Sequence, residues 1–139
     1  MSEKRPPEYY LGYGELLRSY RLAMSLSLRG MAEKLDMSER SWSSMEQNRN
    51  ACPPGMIDVV SELVTQFDAA VETLIELAEA RGATADNPMH IPVDYEPGDP
   101  WERAVIGRAA VDSGIILPIT DGLPPEFEPR WDRPRAEQR

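Results

Sequence analysis

Through the first half of the chain the apolar residues recur every three or four positions, the spacing of one face of a helix. Leu16, Leu17, Tyr20 and Ala23 or Met24 predict a first helix over about Gly14 to Met24. Ser25 and Ser27 then offer capping oxygens, and Met31, Ala32 and Leu35 give a second, short helix its buried side. Gly30 is a mild defect there, about 1 kcal/mol worse than alanine. A turn at Asp36 and Met37 follows, with Met37 as an apolar plug. Ser38 is the natural N-cap of a third helix, in which Trp42 and Met45 face inward.

Pro53, Pro54 and Gly55 break the chain and start a fourth helix, with proline expected in its first turn. Its apolar positions Met56, Val60, Leu63, Phe67, Ala70, Leu74 and Leu77 alternate spacings of four and three, a heptad seam. Val59, Val64, Val71, Ile75 and Ala78 widen the apolar face. About 27 residues, up to Arg81, would span about 40 Å, more than three short helices can cover. A second copy of the chain is the expected cover for the distal half, and the chain's own C-terminal part is the alternative.

Gly82 to Asn87 reads as a linker. Met89, Ile91, Val93 and Tyr95 then alternate with His90, Pro92 and Asp94, the period of a half-buried strand that Pro92 confines to an edge. Asp99, Pro100, Trp101 and Glu102 form a strong helix start, and Trp101, Ala104, Val105 and Ala109, with the stem of Arg108, form its inner face. Gly114 ends that helix, and Ile115 to Ile119 is a second short strand. A sheet this small is unstable alone, so pairing with the same element of a second copy is expected to complete it. The organisation is therefore a flexible arm over 1–13, whose Lys4 and Arg5 could reach a groove, and a helical unit over 14–81. A strand-helix-strand element over 82–120 and a proline-rich tail over 121–139 follow. The fold class is mainly α, with five helices and no internal repeat.

Composition narrows the function. The 139 residues, 41% hydrophobic, suffice for one moderate core. No apolar run approaches the roughly 20 residues that span a bilayer, and the N-terminus has charges and prolines where a signal peptide is apolar. A soluble, cytoplasmic protein is expected. A single cysteine, Cys52, and a single histidine, His90, rule out an internal disulfide and a Cys/His metal cluster. Neither a Gly-rich phosphate loop nor a nucleophile elbow is present, so no cofactor, metal or enzymatic activity is expected. The net charge of −9 opposes binding to nucleic acid. Between Leu16 and Asn50, however, six basic residues face four acidic ones, giving +2, and the rest of the chain, with nine basic and twenty acidic residues, carries −11.

Leu16 to Pro53 thus reads as a helix-turn-helix, a unit that presents one short helix to the major groove of double-stranded DNA. Facing away from Trp42 and Met45 are Glu39, Arg40, Ser43, Ser44 and Gln47. Arg40 can donate two bonds to guanine, and Glu39 can accept from cytosine or simply favour the helix dipole. Ser43 and Gln47 are less selective. Arg49, Ser27, Arg29 and Arg18 are candidates for phosphate. The competing role for Arg40 is a solvated arginine, or one paired with Glu39 or Asp36. Homodimer contacts are expected from Phe67, Val71, Leu74 and Leu77 on the long helix and from Ile91, Val93, Ile115 and Leu117 on the strands.

The run Leu17-Arg18, Arg21, Leu26-Ser27, Met31 to Leu35, Met37-Ser38, Trp42, Glu46 and Arg49 resembles the Cro/C1 (Xre-type) repressor family. With Arg40-Ser41-Trp42, Pro53, the long helix and the terminal strand-helix-strand, the resemblance is closest to the anti-CRISPR-associated (Aca-type) and YdiL-like repressors. It implies a homodimeric autorepressor on inverted repeats, commonly phage-borne, with the arginine matching Arg40 reading a base. Three positions depart from that pattern. Leu28 replaces a glutamine that clamps phosphate, Met45 replaces a tryptophan, and Asn48 replaces a glycine that ends the recognition helix. A second class of function is a protein-interaction module, an antitoxin or adaptor, whose partner binds the acidic helix or the tail.

Overall fold

The computed structural model describes residues 12–94 and 99–121, and its first three helices are α1 (Gly14–Ala23), α2 (Leu28–Leu35) and α3 (Glu39–Glu46). Of the three serines expected to offer capping oxygens, Ser27 and Ser38 perform that role, and Ser25 instead takes a left-handed turn before α2. Ser27 Oγ accepts from Gly30 N at 3.0 Å, and Ser38 Oγ accepts from Ser41 N at 3.0 Å. Non-glycine residues in the left-handed region make the corners, with φ of 56° at Ser25, 58° at Asp36 and 61° at Asn48. Asp and Asn tolerate that region best, which suits two of the three sites. Leu17, Met24, Met31, Ala32, Trp42 and Met45 converge from the three helices into one buried cluster.

α4 (Met56–Ala80) starts after the prolines rather than on them. Gly55, at φ 80°, precedes it, and Met56 N bonds back to Pro53 O at 3.2 Å. Val60 and Leu63 in its first half join the core of the three short helices. Its second half is covered largely by α5 (Pro100–Ser113) of the same chain. Phe67 is 0% and Val71 6% exposed, and Trp101 of α5 meets Phe67 edge-on, ring centroids 5.4 Å apart and planes at 84°. The dimer roles expected of Phe67 and Val71 are corrected here: both are core residues with almost no surface to offer a second copy. Heptad spacing identifies an apolar face of α4 without saying which element lies on it.

α5 also reaches the short helices. A Cβ at Gly30 would come within 2.9 Å of Pro100 Cβ, so the glycine that looks like a defect in α2 makes room for the start of α5. Lys34 Nζ sits 4.1 Å above the Trp101 ring. Arg108 Nη2 donates to Ala23 O at 2.8 Å, on the last turn of α1, while its guanidinium lies 5.7 Å from the Phe67 ring centre. Asp99 Oδ1 caps α5 through Trp101 N at 3.0 Å, and Gly114, at φ 73°, ends it.

β1 (Met89–Asp94) and β2 (Ile116–Asp121) pair in parallel, Met89 opposite Ile116 through Asp94 opposite Asp121. Ile115 precedes β2, and its carbonyl accepts from Met89 N at 2.9 Å. In a parallel ladder alternate residues direct their bonds to alternate sides. Met89, Ile91 and Val93 thus bond toward β2, and Pro92 stands on the outer side. The same parity puts Pro118 on the outer side of β2. Each outer edge lacks a donor at its proline, so the sheet completion expected from a second copy would meet a proline on either side. Residues 1–11 of the expected arm, with Lys4 and Arg5, and residues 122–139 of the expected tail lie outside the described residues.

Candidate functional site

The inward pull of Trp42 and Met45 sets the orientation of α3. With both buried, Glu39, Arg40 and Gln47 are exposed, and Ser43 and Ser44 are half-buried. A polar network beneath the helix holds it there. Glu46 accepts from Arg21 Nε at 2.5 Å and from Arg21 Nη2 at 3.0 Å, and the Trp42 indole N–H donates to the same carboxylate. Arg21 Nη1 extends the network to Leu26 O at 2.9 Å. The Arg21 and Glu46 side chains are only 11% and 6% exposed. The hydrogen bond to Glu46, with its charge, raises the Arg21 pKa above the ordinary value despite partial burial, so this cation persists at every accessible pH.

A second clamp closes the other end. Asn48 Oδ1 accepts from Gly12 N and from Gly14 N, each at 3.0 Å, tying the residue after α3 to the start of α1. A Cβ at Gly14 would lie 2.2 Å from Glu46 O, so no larger residue fits that crossing. Asn48, just past α3, thus supplies both the left-handed turn and an acceptor that a glycine there would lack.

Arg40 has no hydrogen bond or ion pair among the described residues, so neither Glu39 nor Asp36 engages it. Its planar fork stands free on the first turn of α3, able to donate two parallel N–H bonds. Arg49 is likewise exposed and unpaired, its backbone N held by Ser44 O at 2.8 Å. Ser43 Oγ accepts from Gln47 Nε2 at 3.1 Å. Arg18 pairs with Glu15 at 3.4 Å and Arg29 with Glu33 at 3.5 Å, both in solvent, where such bonds exchange readily for another anion. Ser27 has its oxygen occupied as a cap, which leaves its hydroxyl proton as the group it can offer a ligand.

The expected dimer residues separate into three sets. Leu74, half-buried, and Leu77, 42% exposed, line with Ile91 an apolar groove of about 510 Å³ between α4 and α5, together with Ala70, Val105 and Ile106. Val93, Ile115 and Leu117 are half-buried on the strand pair and do not line it. Phe67 and Val71 are interior.

Cys52 is buried, and burial pushes its thiol pKa up, away from nucleophilic use at neutral pH. Among the described residues no group of three or more His, Cys, Asp or Glu could hold a metal ion. None of the described helices is long and apolar enough to cross a membrane. Sequence reasoning missed Asn48 as a clamp and Arg108 as a link to Ala23, because their partners lie 34 or more residues away and leave no local pattern. No known family model, curated protein or solved structure matches the chain.

Proposed function

We propose that this protein is a sequence-specific, double-stranded DNA-binding transcriptional regulator of the helix-turn-helix, Xre-like type. It acts as a homodimeric autorepressor on an inverted repeat. The observation that carries this reading is the unpaired Arg40 on the exposed first turn of a short helix whose opposite face is locked by Trp42, Met45 and Glu46. A rigid helix with a free guanidinium at its N-terminal end suits bidentate recognition of guanine in the major groove. Glu39, Ser43, Ser44 and Gln47 share that surface, and Arg49, Arg29, Arg18 and Ser27 flank it as phosphate contacts. The groove of Leu74, Leu77 and Ile91 is the surface through which a second copy pairs, and pairing presents Arg40 twice at a set spacing.

The test is a binding titration against a site selected from random duplexes and against a scrambled control. Arg40→Ala is expected to cost about 1–3 kcal/mol on the selected site and little on the control. Undiminished discrimination by that variant would refute the assignment.

A second reading, a protein-docking module, is favoured by one observation. Asp68, Glu72, Glu76, Glu79 and Asp112 gather along one cleft between α4 and α5, a surface that suits a basic partner. On that reading the protein fails to discriminate among duplex sequences at physiological salt.

A further inference from the structure

Cations gather on α5 in a place the acidic composition does not suggest. A cleft of about 590 Å³ opens between the α1–α2 corner and α5, and among the described residues its charged lining is two arginines, Arg103 and Arg108. Ser25 and Ser27 form the opposite wall, and the small side chains of Ala104 and Gly107 keep the floor open. Among the described residues no carboxylate lines it, although the chain carries −9 overall. On its other side each arginine also borders an acidic cleft, Arg103 with Asp94, Asp99 and Glu102 and Arg108 with Asp68, Glu72, Glu76, Glu79 and Asp112, while Asp99 caps the helix.

Both guanidiniums are anchored yet keep free donors. Arg103 is exposed and uses Nη1 on Asp94 O at 3.1 Å, while Arg108 uses Nη2 on Ala23 O at 2.8 Å. An arginine held by one nitrogen has lost part of its side-chain entropy in advance, so a further contact costs less to form. Beyond the cleft wall, the first turn of α2 leaves the N–H groups of Leu28 and Arg29 without an intrahelical acceptor, since Gly30 N and Met31 N already bond to Ser27. Guanidiniums and serine hydroxyls around an open cleft that no described carboxylate lines are the chemistry of a phosphate track.

We propose that this cleft binds the DNA sugar-phosphate backbone, with Arg103 and Arg108 carrying the protein–DNA contact from the start of α2 onto the C-terminal element. The inference rests on the DNA-binding reading and deepens it. Leu28 gives the start of α2 an apolar side chain, and two cations from a helix 75 and more residues along the chain bring charge to that corner. The strand-helix-strand element is thereby part of the nucleic-acid surface as well as a cover for α4.

The test uses the full chain and Arg103, whose exposed side chain contributes little to packing. Affinities of wild type, Arg103→Gln and Arg103→Lys are measured on a selected site and a scrambled duplex between about 50 and 200 mM salt. For Arg103→Gln the slope of log K against log salt is expected to fall by about 0.9 for each protomer bound, with the same loss on both duplexes, and Arg103→Lys to restore the slope. Arg81→Gln, an exposed arginine at the far end of α4, should leave the slope unchanged, and thermal melting checks that each variant is folded. An unchanged slope in Arg103→Gln overturns the proposal while leaving the DNA-binding reading intact, and so does a loss confined to the selected site. If wild type binds neither duplex, the reading itself fails and the cleft proposal falls with it.

Discussion

Removing the Glu46 carboxylate is expected to destabilise the protein far more than removing any surface acid. The carboxylate accepts from Arg21 Nε and Nη2 and from the Trp42 indole, in a setting where its own side chain is 6% exposed. Glu46→Ala leaves a guanidinium with only Leu26 O and an indole N–H with no acceptor, both shut away from water. Breaking a buried pair on one side costs about 3–5 kcal/mol, because the surviving charge stays desolvated and uncompensated. A domain of this kind has about 5–15 kcal/mol in total, so the loss is a large share. Urea unfolding followed by circular dichroism reads it directly as a lower midpoint at unchanged slope. The double variant Arg21→Leu with Glu46→Leu supplies the control, since exchanging both partners for apolar groups is near neutral in many buried pairs. It should therefore be more stable than Glu46→Ala. A change below about 1 kcal/mol in Glu46→Ala, or a double variant less stable than the single one, would refute the argument that the network is buried and mutually dependent.

Two further outcomes follow from the packing. Gly14→Ala would put a methyl group 2.2 Å from Glu46 O, so it should destabilise by more than about 3 kcal/mol despite the better helix propensity of alanine, and a melting temperature equal to wild type would contradict the close crossing of α1 and α3. Phe67→Ala is expected to cost about 3–5 kcal/mol as a core truncation, whereas Leu77→Asp, at a position 42% exposed, should leave protomer stability within about 1 kcal/mol and lower the mass in light scattering if the groove pairs two copies. The reverse pattern, a stable Phe67 variant and an unfolded Leu77 variant, would mean that the two faces of α4 are exchanged.

Local signals in the sequence were enough for most of the secondary structure. Ser27 and Ser38 mark helix starts because a side-chain oxygen three residues ahead of a free N–H satisfies it wherever the chain goes. Trp42 and Met45 mark the inner side of α3 because helical period alone puts them on one stripe. Asp99, Pro100 and Gly114 bracket α5 by the same kind of local chemistry, and alternation with Pro92 places an edge strand. The exposed group of Glu39, Arg40 and Gln47 follows by subtraction once the inner stripe is known.

What depended on the tertiary structure was which apolar face meets which. The seam on α4 reads identically whether a second copy or the chain's own α5 covers it, because burial rewards apolar area without regard to its source. Trp101 against Phe67 and Pro100 against Gly30 decided in favour of α5 over the middle of the helix, and left Leu74 and Leu77 at its rim. The clamp from Asn48 to Gly12 and Gly14, the bond from Arg108 to Ala23 and the cleft that brings Arg103 beside Ser27 were equally invisible, each joining residues far apart in the chain. Short-range periodicity and capping thus determined the helices and the exposed polar face of α3. Long-range contacts, which carry no local pattern, decided what covers α4 and where its cations meet.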